Sequence, residues 1–503
     1  MKKTKWNIFA TIFIAVQALI VIGTIITIAV VNIFPALYLA AMAVVLVLLL
    51  ALEYPMMYCR INRKKTNKKK VYIKRSIGTT IASISMIVCI IIIYVLAELG
   101  LVMTGITRGS DQVVNIIGVY VMADDDAETL SDAKDYTFGY AKSYDSTNTA
   151  TAIEDIEEEL GSSIETEEYA SVLTAIDALY AGEVDALIMN EAYEGVLDNL
   201  DNYADFTDQT KILYEDKIVT YLDGSSAEVT EECFVVYLAG NDTRNEKLTT
   251  SRNDVNILAA VNPNTHQILL ISTPRDAYVP TTASEDRDRD KLTHCGIYGI
   301  DCSVSTLEEL YDIEIAYYAQ INFTGFETLI DDIDGVTVYN EKTVYTHHNN
   351  YYLEEGNITL SGAEALDFCR DRYSYSDGDL ARSRHEMEVI EAIISKCTSG
   401  KTVLSHYGDI MSDLTDMFIT NMSTDDMQSL VKMQLSDMAS WEVYSYTLDG
   451  TYTYAETYSM PGRDLCVYEY TDEDVEFVQG LFDKILNDKK LTDSDMTRED
   501  TEE

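Results

Sequence analysis

Three apolar stretches, residues 8–31, 35–52 and 77–102, constrain this chain more than any other feature. Each is long enough to cross a hydrocarbon core of ~30 Å, which takes about 20 helical residues. The first two carry no charge, and the third carries only Glu98 near one end. Backbone in lipid must satisfy its own polar groups, so all three are expected to be helices. A cleaved leader does not fit, because no small-residue cleavage site precedes a mature domain. "MKKTK" precedes the first stretch, and "RINRKKTNKKKVYIKR", residues 60–75, separates the second from the third. Lys and Arg favour the cytoplasmic side. The N-terminus is therefore expected inside and everything after about residue 103 outside, in a multi-pass cell-membrane protein. A buried apolar hairpin would not need the basic loop, which instead suits anionic lipid.

Charge divides the chain in the same place. Residues 1–103 hold 12 Lys and Arg against 2 Asp and Glu, while the rest holds 25 against 82, a net charge of −57. Phosphate-backbone binding needs positive charge, so nucleic acid is excluded as a partner of the outer body. Six cysteines lie in that body: Cys233, Cys295, Cys302, Cys369, Cys397 and Cys466. No CxxC pair marks a zinc site. An oxidising exterior permits disulfides, but the sequence does not give their pairing, and small buried thiols fit equally.

The outer body reads as α/β throughout. In residues 110–228, "NIIGVYVM" and "EVDALIMN" have strand composition, whereas "TATAIEDIEEEL" and "EEYASVLTAIDALYAG" have helical spacing. This segment is expected to be an accessory α/β domain. In residues 229–400, "CFVVYLAG", "VNILAAVNP" and "QILLIST" follow one another as strands, and "VNPNTH" makes the last two a hairpin. Capping boxes at Ser305/Glu308, Thr324/Glu327 and Ser361/Glu364 predict three helix starts. Helices alternating with strands argue an α-β-α sandwich. Residues 401–486 read as a C-terminal α/β extension, and the acidic tail 487–503 is expected to be disordered.

Within this second segment, Arg and Asp gather at the ends of elements. The stretches are "AGNDTR", "SRNDVNI", "TPRDAYVP", "DKLTH" and "CRDRYSYSDGDLARSRHE". Single surface ion pairs are mostly solvation, but independent pairs would not collect at strand ends. Arg matches phosphate oxygens in bidentate fashion. Neighbouring carboxylates suit Mg²⁺ together with bound phosphate. Arg, Asp and a metal together describe a pyrophosphate clamp for phosphoryl transfer. Arg370 and Arg372, two apart, are expected to aim the same way from an extended segment. His294 reads as a hydrogen-bonded pocket residue rather than an acid–base group. The adjacent His347 and His348 suit an exposed loop, and the Tyr-rich stretch near residue 452 suits a strand with a solvated face.

"SRNDVNILAAVNPNTHQILLISTPRDAYVP", "DKLTHCGIYGIDCSVSTLEELYDI", "INFTGFETLIDDIDGVTVYN" and "LSGAEALDFCRDRYSYSDGDLARSR" resemble the LytR–CpsA–Psr family, strongly over residues 231–398. Three spans and an accessory domain resemble the capsule-locus members in layout. The resemblance implies a Mg²⁺-dependent phosphotransferase of a Gram-positive type bacterium. It would move a glycan phosphate from a polyprenyl-pyrophosphate carrier to peptidoglycan, and the resemblance implies an apolar tunnel for the prenyl chain walled by the "ILLIST" strand, with Arg275 at its mouth. Carried over by motif, Asp242 and Asp254 are implied at the metal and the attacking hydroxyl, with Arg275 beside them. Arg252, Arg275, Arg370, Arg372 and Arg382 are implied at the pyrophosphate, with Asp276 and Lys291 as further pocket groups. Asp379 and Arg382 fall on the family's Gly-Asp-x-x-Arg pattern. Glu386 departs from it, standing where the family usually has Gln. The alternative is a non-enzymatic membrane regulator that binds lipid-linked glycan and modulates polymer synthesis.

Overall fold

A computed structural model describes residues 5–31, 34–58, 68–109, 112–142, 145–197, 200, 202–221, 228–244, 248–376, 378–398 and 417–498. They form two compact units: residues 1–105 with 424–439, and residues 106–423 with 440–503.

The first unit contains three long apolar helices, α1 (Lys5–Val31), α2 (Ala36–Met57) and α3 (Lys68–Gly109). Each holds a stretch long and apolar enough to span a bilayer. Large aliphatic side chains such as Leu19, Val30 and Leu37 stay exposed, as expected of surfaces that face lipid. Most of the basic loop lies outside the described residues. α1 and α2 are joined by polar contacts that the hydropathy pattern hides. Gln17 donates to the Glu53 carboxylate at 2.5 Å with both side chains fully buried. Trp6 Nε1 donates to the Met57 carbonyl at 2.9 Å.

The second unit begins with a five-stranded sheet. Its strands are β1 (Gln112–Met122), β2 (Thr137–Ala141), β3 (Glu165–Tyr169), β4 (Ala186–Asn190) and β5 (Thr210–Tyr221), in the order β3-β2-β4-β1-β5. The parallel β3-β2-β4 set is crossed by α4 (Ser146–Leu160), as expected, and by α5 (Val172–Ala181), which is shorter than expected because residues 167–169 at the start of the helical stretch belong to β3. Gly182, at φ 69°, ends α5 in the left-handed region. Two short helices follow, α6 (Glu194–Leu197) and α7 (Phe206–Gln209).

The larger sheet uses β6 (Phe234–Asn241), β7 (Asn253–Asn262) and β8 (Gln267–Ser272), with β7 and β8 forming the expected hairpin. A small antiparallel pair follows, β9 (Tyr278–Pro280) and β10 (Arg289–Lys291), and then α8 (Leu292–Cys295) and α9 (Ile300–Tyr311). β11 (Tyr317–Asn322) joins the sheet parallel to β6 and leads into α10 (Phe323–Asp332). β12 (Val336–Asn340), β13 (Val344–Tyr345), β14 (Tyr352–Leu353) and β15 (Gly356–Leu360) make two small antiparallel pairs ahead of α11 (Gly362–Arg370) and α12 (Asp379–Thr398). β16 (Phe418–Thr420) and β17 (Glu442–Thr447) are the edges of the order β16-β11-β6-β7-β8-β17. A final hairpin, β18 (Thr451–Thr457) and β19 (Met460–Glu469), precedes the helix Asp472–Leu486.

Strand alternation makes this sheet the middle of three layers. Leu258, Leu269 and Ile271 face one core with Leu307, Tyr311 and Phe482. Ile257, Ile268 and Leu270 face the other way, toward Met387, Ile390 and Ile394 of α12. The α-β-α sandwich is present.

Several local expectations are corrected. Of the three capping boxes only Ser361/Glu364 starts a helix. α9 starts at Ile300 behind Gly299, so Ser305 lies inside it. α10 is capped by Asn322, so Thr324 lies inside too. Residues 401–416 are not described, and the rest of the expected extension is not an appendage. β17 pairs parallel with β8, and Phe482 lies in the main core. The tail is ordered through residue 498. Leu491 is 1 % exposed, and its N–H donates to Gln267 Oε1 at 2.8 Å.

Candidate active site

Asp242 follows β6, Arg252 and Asp254 open β7, and Arg275 follows β8. Antiparallel pairing brings all four to one end of these three interior strands. Asp242 Oδ2 accepts from Arg252 Nε at 3.0 Å and Nη2 at 2.5 Å, and Oδ1 accepts from Ser251 Oγ at 2.7 Å. Asp254 Oδ2 accepts from Arg275 Nη1 at 2.6 Å and lies 3.3 Å from Arg382 Nη2. Thr293 Oγ1 donates to Asp254 Oδ1 at 3.3 Å. Burial alone would raise the Asp254 pKa, but Arg275, Arg382 and Arg252 together hold it well below the usual carboxylate range.

Arg382 and Glu386 are one helical turn apart on α12. Arg382 Nε donates to Glu386 Oε1 at 2.8 Å, and Arg382 Nη2 donates to the Asp254 carbonyl at 3.2 Å. Burial pushes the Glu386 pKa up to about 7 against the pull of Arg382. A carboxyl there is therefore compatible with phosphate once it is protonated or paired. Lys291 Nζ donates to Asp276 Oδ1 at 2.9 Å, which leaves Asp276 3.9 Å from Arg275 Nε. That Nε is buried and has no hydrogen-bond acceptor among the described residues.

An apolar cavity of about 280 Å³ opens beside this cluster. Leu238, Ile321, Phe326, Leu366, Ile390 and Ile394 line it, while Arg370, Arg382 and Glu386 form its polar end. Its walls come from β6, β11 and α10 to α12. The expectation that β8 walls a tunnel is thus corrected: β8 is covered on both faces by core side chains. Arg382 and Glu386 also line a small polar pocket with Asp254, Thr273, Arg275 and Tyr452. α12 therefore carries the junction between the apolar and ionic compartments.

The two arginines expected to act side by side are parted. Arg370 is the last residue of α11, not part of an extended segment. Its guanidinium stacks 4.6 Å from the Phe323 ring centroid. Among the described residues no carboxylate lies within ion-pair distance of it. Burial and the neighbouring cations Arg244 and Arg382 lower its proton affinity. Arg372 stands beyond the helix end, where Nη2 donates to Tyr373 Oη at 2.8 Å. Asp379 opens α12, and its side chain lies outside the described residues.

Three further contributors, Ser251, Thr293 and Phe323, were not singled out from sequence. Ser251 and Thr293 sit within or beside motifs already marked by charge, and adjacency to Arg252 and Lys291 was the available signal. Phe323 gave no signal distinct from a core aromatic. His294 Nδ1 lies 2.7 Å from Asp290 Oδ1 and 2.8 Å from Ser459 Oγ, a structural knot. The accessory sheet also reaches the site. A Cβ on Gly195 of α6 would lie 3.6 Å from Arg252 Nε, and Tyr193 Oη donates to the Ser459 carbonyl at 2.7 Å.

Asp242 Oδ1 and Asp254 Oδ1 each accept from a hydroxyl, that of Ser251 and of Thr293. Carboxylate oxygen is the donor type that Mg²⁺ takes together with phosphate and water. Among the described residues no group of three His, Cys, Asp or Glu is arranged to hold a metal unaided.

Comparison with known proteins finds relatives over part of this chain. The polyisoprenyl-teichoic acid–peptidoglycan teichoic acid transferase TagU of Oceanobacillus iheyensis is 35% identical over 203 residues, 39% of this chain and 61% of that protein. The corresponding transferase TagT of Bacillus subtilis is 34% identical over 206 residues, 39% of this chain and 62% of that protein. The chain thus spans about three fifths of the length of these relatives. A solved structure titled TagT bound to LI-WTA aligns with a TM-score of 0.42 at 28% identity, covering 52% of this chain and 96% of that one. The family model for LytR_cpsA_psr matches residues 198–474, more than half of the sequence, and the chain belongs to that family.

Proposed function

We propose that this chain is a membrane-anchored transferase that moves a glycan phosphate from a polyprenyl-pyrophosphate carrier to peptidoglycan and releases polyprenyl phosphate. The observation that carries this reading is the junction on α12, where an apolar cavity meets a cluster with unsatisfied cationic donors. A carrier lipid has the same two-part chemistry, a prenyl chain ending in diphosphate. The names of the two relatives supply the class of glycan, a teichoic acid. The three spans favour a capsule-type polymer by layout. The basic flanks of the spans support an outward-facing body.

In this reading the prenyl end lies among Leu238, Ile321, Phe326 and Ile390. Arg370 and the free Nε of Arg275 take phosphate oxygens, and Arg252 lies beside them. Asp254 orients Arg275 and Arg382. Its low proton affinity makes it a poor base, and Asp242, at the same end of the strands, orients the attacking hydroxyl. Mg²⁺ held by Asp242 and Asp254 would supply charge neutralisation at the diphosphate.

The test is mass spectrometry of lipid extracted from purified full-length protein, followed by transfer of radiolabelled glycan to peptidoglycan with and without EDTA. Polyprenyl phosphate or pyrophosphate is expected on the wild type and not on Arg275→Ala/Arg370→Ala. Bound lipid without EDTA-sensitive transfer would instead support the regulator. Bulk phospholipid alone, equal in both proteins, would refute the carrier site.

A further inference from the structure

We propose that Cys295 and Cys302 are a paired oxidation site that closes to a disulfide in an oxidising exterior by exchange with a protein or small-molecule disulfide, Cys302 attacking first. The cellular part of this proposal rests on the outward placement argued above, because a reducing compartment keeps thiols free.

The geometry comes from one tight turn. Cys295 ends α8, and Cys302 lies in the first turn of α9. Between them Gly299, at φ 104°, turns the chain back in a conformation that suits glycine. The two thiols consequently meet around one hydroxyl: Thr281 Oγ1 lies 3.4 Å from Cys295 Sγ and 3.6 Å from Cys302 Sγ. Both sulfurs thus lie within hydrogen-bond reach of the same oxygen.

The two sulfurs differ in the way a disulfide exchange requires. Cys295 is fully buried, whereas Cys302 is partly exposed. Cys302 Sγ accepts from Thr282 Oγ1 at 3.6 Å and has Thr281 beside it. The hydrogen bond with Cys295, followed by these hydroxyls, lowers the Cys302 pKa despite its burial. A thiolate is the attacking species.

The steps balance. The Cys302 thiolate attacks one sulfur of the oxidant's disulfide, and the other sulfur leaves as a thiolate. The Cys295 thiol then attacks the Cys302 sulfur, its proton passing to the oxidant's second sulfur, which leaves as a thiol. Two protein thiols are oxidised, and one external disulfide is reduced to two thiols.

The bridge would brace the active site from behind. The turn it closes contains Gly296, where a Cβ would lie 2.6 Å from the Ser251 carbonyl and 2.7 Å from the Asn253 N–H nitrogen. Those two residues flank Arg252.

The experiment uses full-length protein in detergent, equilibrated in glutathione buffers from fully reduced to fully oxidised. Free thiols are then alkylated under denaturing conditions and mapped by peptide mass spectrometry. Cys295 and Cys302 are expected to leave the alkylatable pool together, with a cross-linked product two hydrogens lighter. Cys302→Ser is expected to leave Cys295 alkylatable at every ratio. Both thiols staying free in the oxidised buffer, Cys302 stopping at a glutathione adduct, or either pairing elsewhere would overturn the proposal. Intact cells are probed in parallel with a membrane-impermeant thiol reagent on a single-cysteine variant of the outer body. That cysteine is expected to react, and its failure to react in intact cells would overturn the outward placement and with it the cellular oxidation.

Discussion

Glu386→Gln isolates the energetic effect of placing a carboxyl at the junction of the two compartments. Glu386 is 6 % exposed, and burial pushes its pKa from an ordinary 4.5 up to about 7. Between those values the unfolded chain releases its proton and the folded chain keeps it. The unfolded state then binds fewer protons, so stability falls as pH rises through this window. At about 1.4 kcal/mol per unit, the penalty approaches about 3 kcal/mol by pH 8 and is under about 1 kcal/mol at pH 5. Gln keeps the neutral shape and can still present an oxygen to Arg382, so it removes the penalty alone. The expected result is a melting temperature near wild type at pH 5 and higher by roughly 5 °C at pH 8, read by scanning fluorimetry of full-length protein in detergent. Glu388 and Glu191, also pushed up to about 7, are common to both proteins and cancel in the difference. Asp254 is held low, so its contribution is present above the unfolded pKa and is lost only as pH falls through the folded value, on the acid side of this window. A gap that stays constant from pH 5 to pH 8 would refute the reasoning.

Arg382→Ala should destabilise by about 3–5 kcal/mol, because Asp254 and Glu386 would both lose a buried partner; a loss under about 1 kcal/mol in chemical denaturation would contradict this. Arg370→Ala should abolish co-purifying polyprenyl lipid, while Arg372→Ala, off the cavity, should retain most of it; equal loss in extracted-lipid mass spectra would place Arg372 in the clamp after all. Gly362→Ala puts a Cβ into the Glu327 backbone where α10 and α11 cross. It should cost about 1–3 kcal/mol and shrink the cavity, so an unchanged melting temperature would show that the crossing can open.

What could be read from the sequence is what depends on neighbours in the chain. The three spans need only hydropathy, and β7–β8 needs only two apolar runs and a turn. Ser361/Glu364 is a real capping box because no better cap stands just upstream. Ser305 and Thr324 match the same pattern, but Gly299 and Asn322 start their helices earlier. Contacts distant in sequence escaped. β17 completes the sheet against β8 across more than 170 residues, and nothing in "WEVYSYTL" names its partner. The run "ILLIST" is apolar on both faces, which suits a tunnel wall and a core strand equally. Only the packing of α9 on one side and α12 on the other decides for the core. Arg370 and Arg372 look alike as letters, yet α11 ends between them, so one side chain enters the cavity and the other does not. The arginine cluster was legible for a physical reason. In a body of net charge −57, a surface arginine finds carboxylates at random, whereas those at strand ends are held by particular ones. Asp242 holds Arg252, and Asp254 holds Arg275 and Arg382. What the letters could not give is the remainder after pairing: among the described residues the Nε of Arg275 has no hydrogen-bond acceptor and no carboxylate lies within ion-pair distance of Arg370, and the proposed anion binding rests on these two groups.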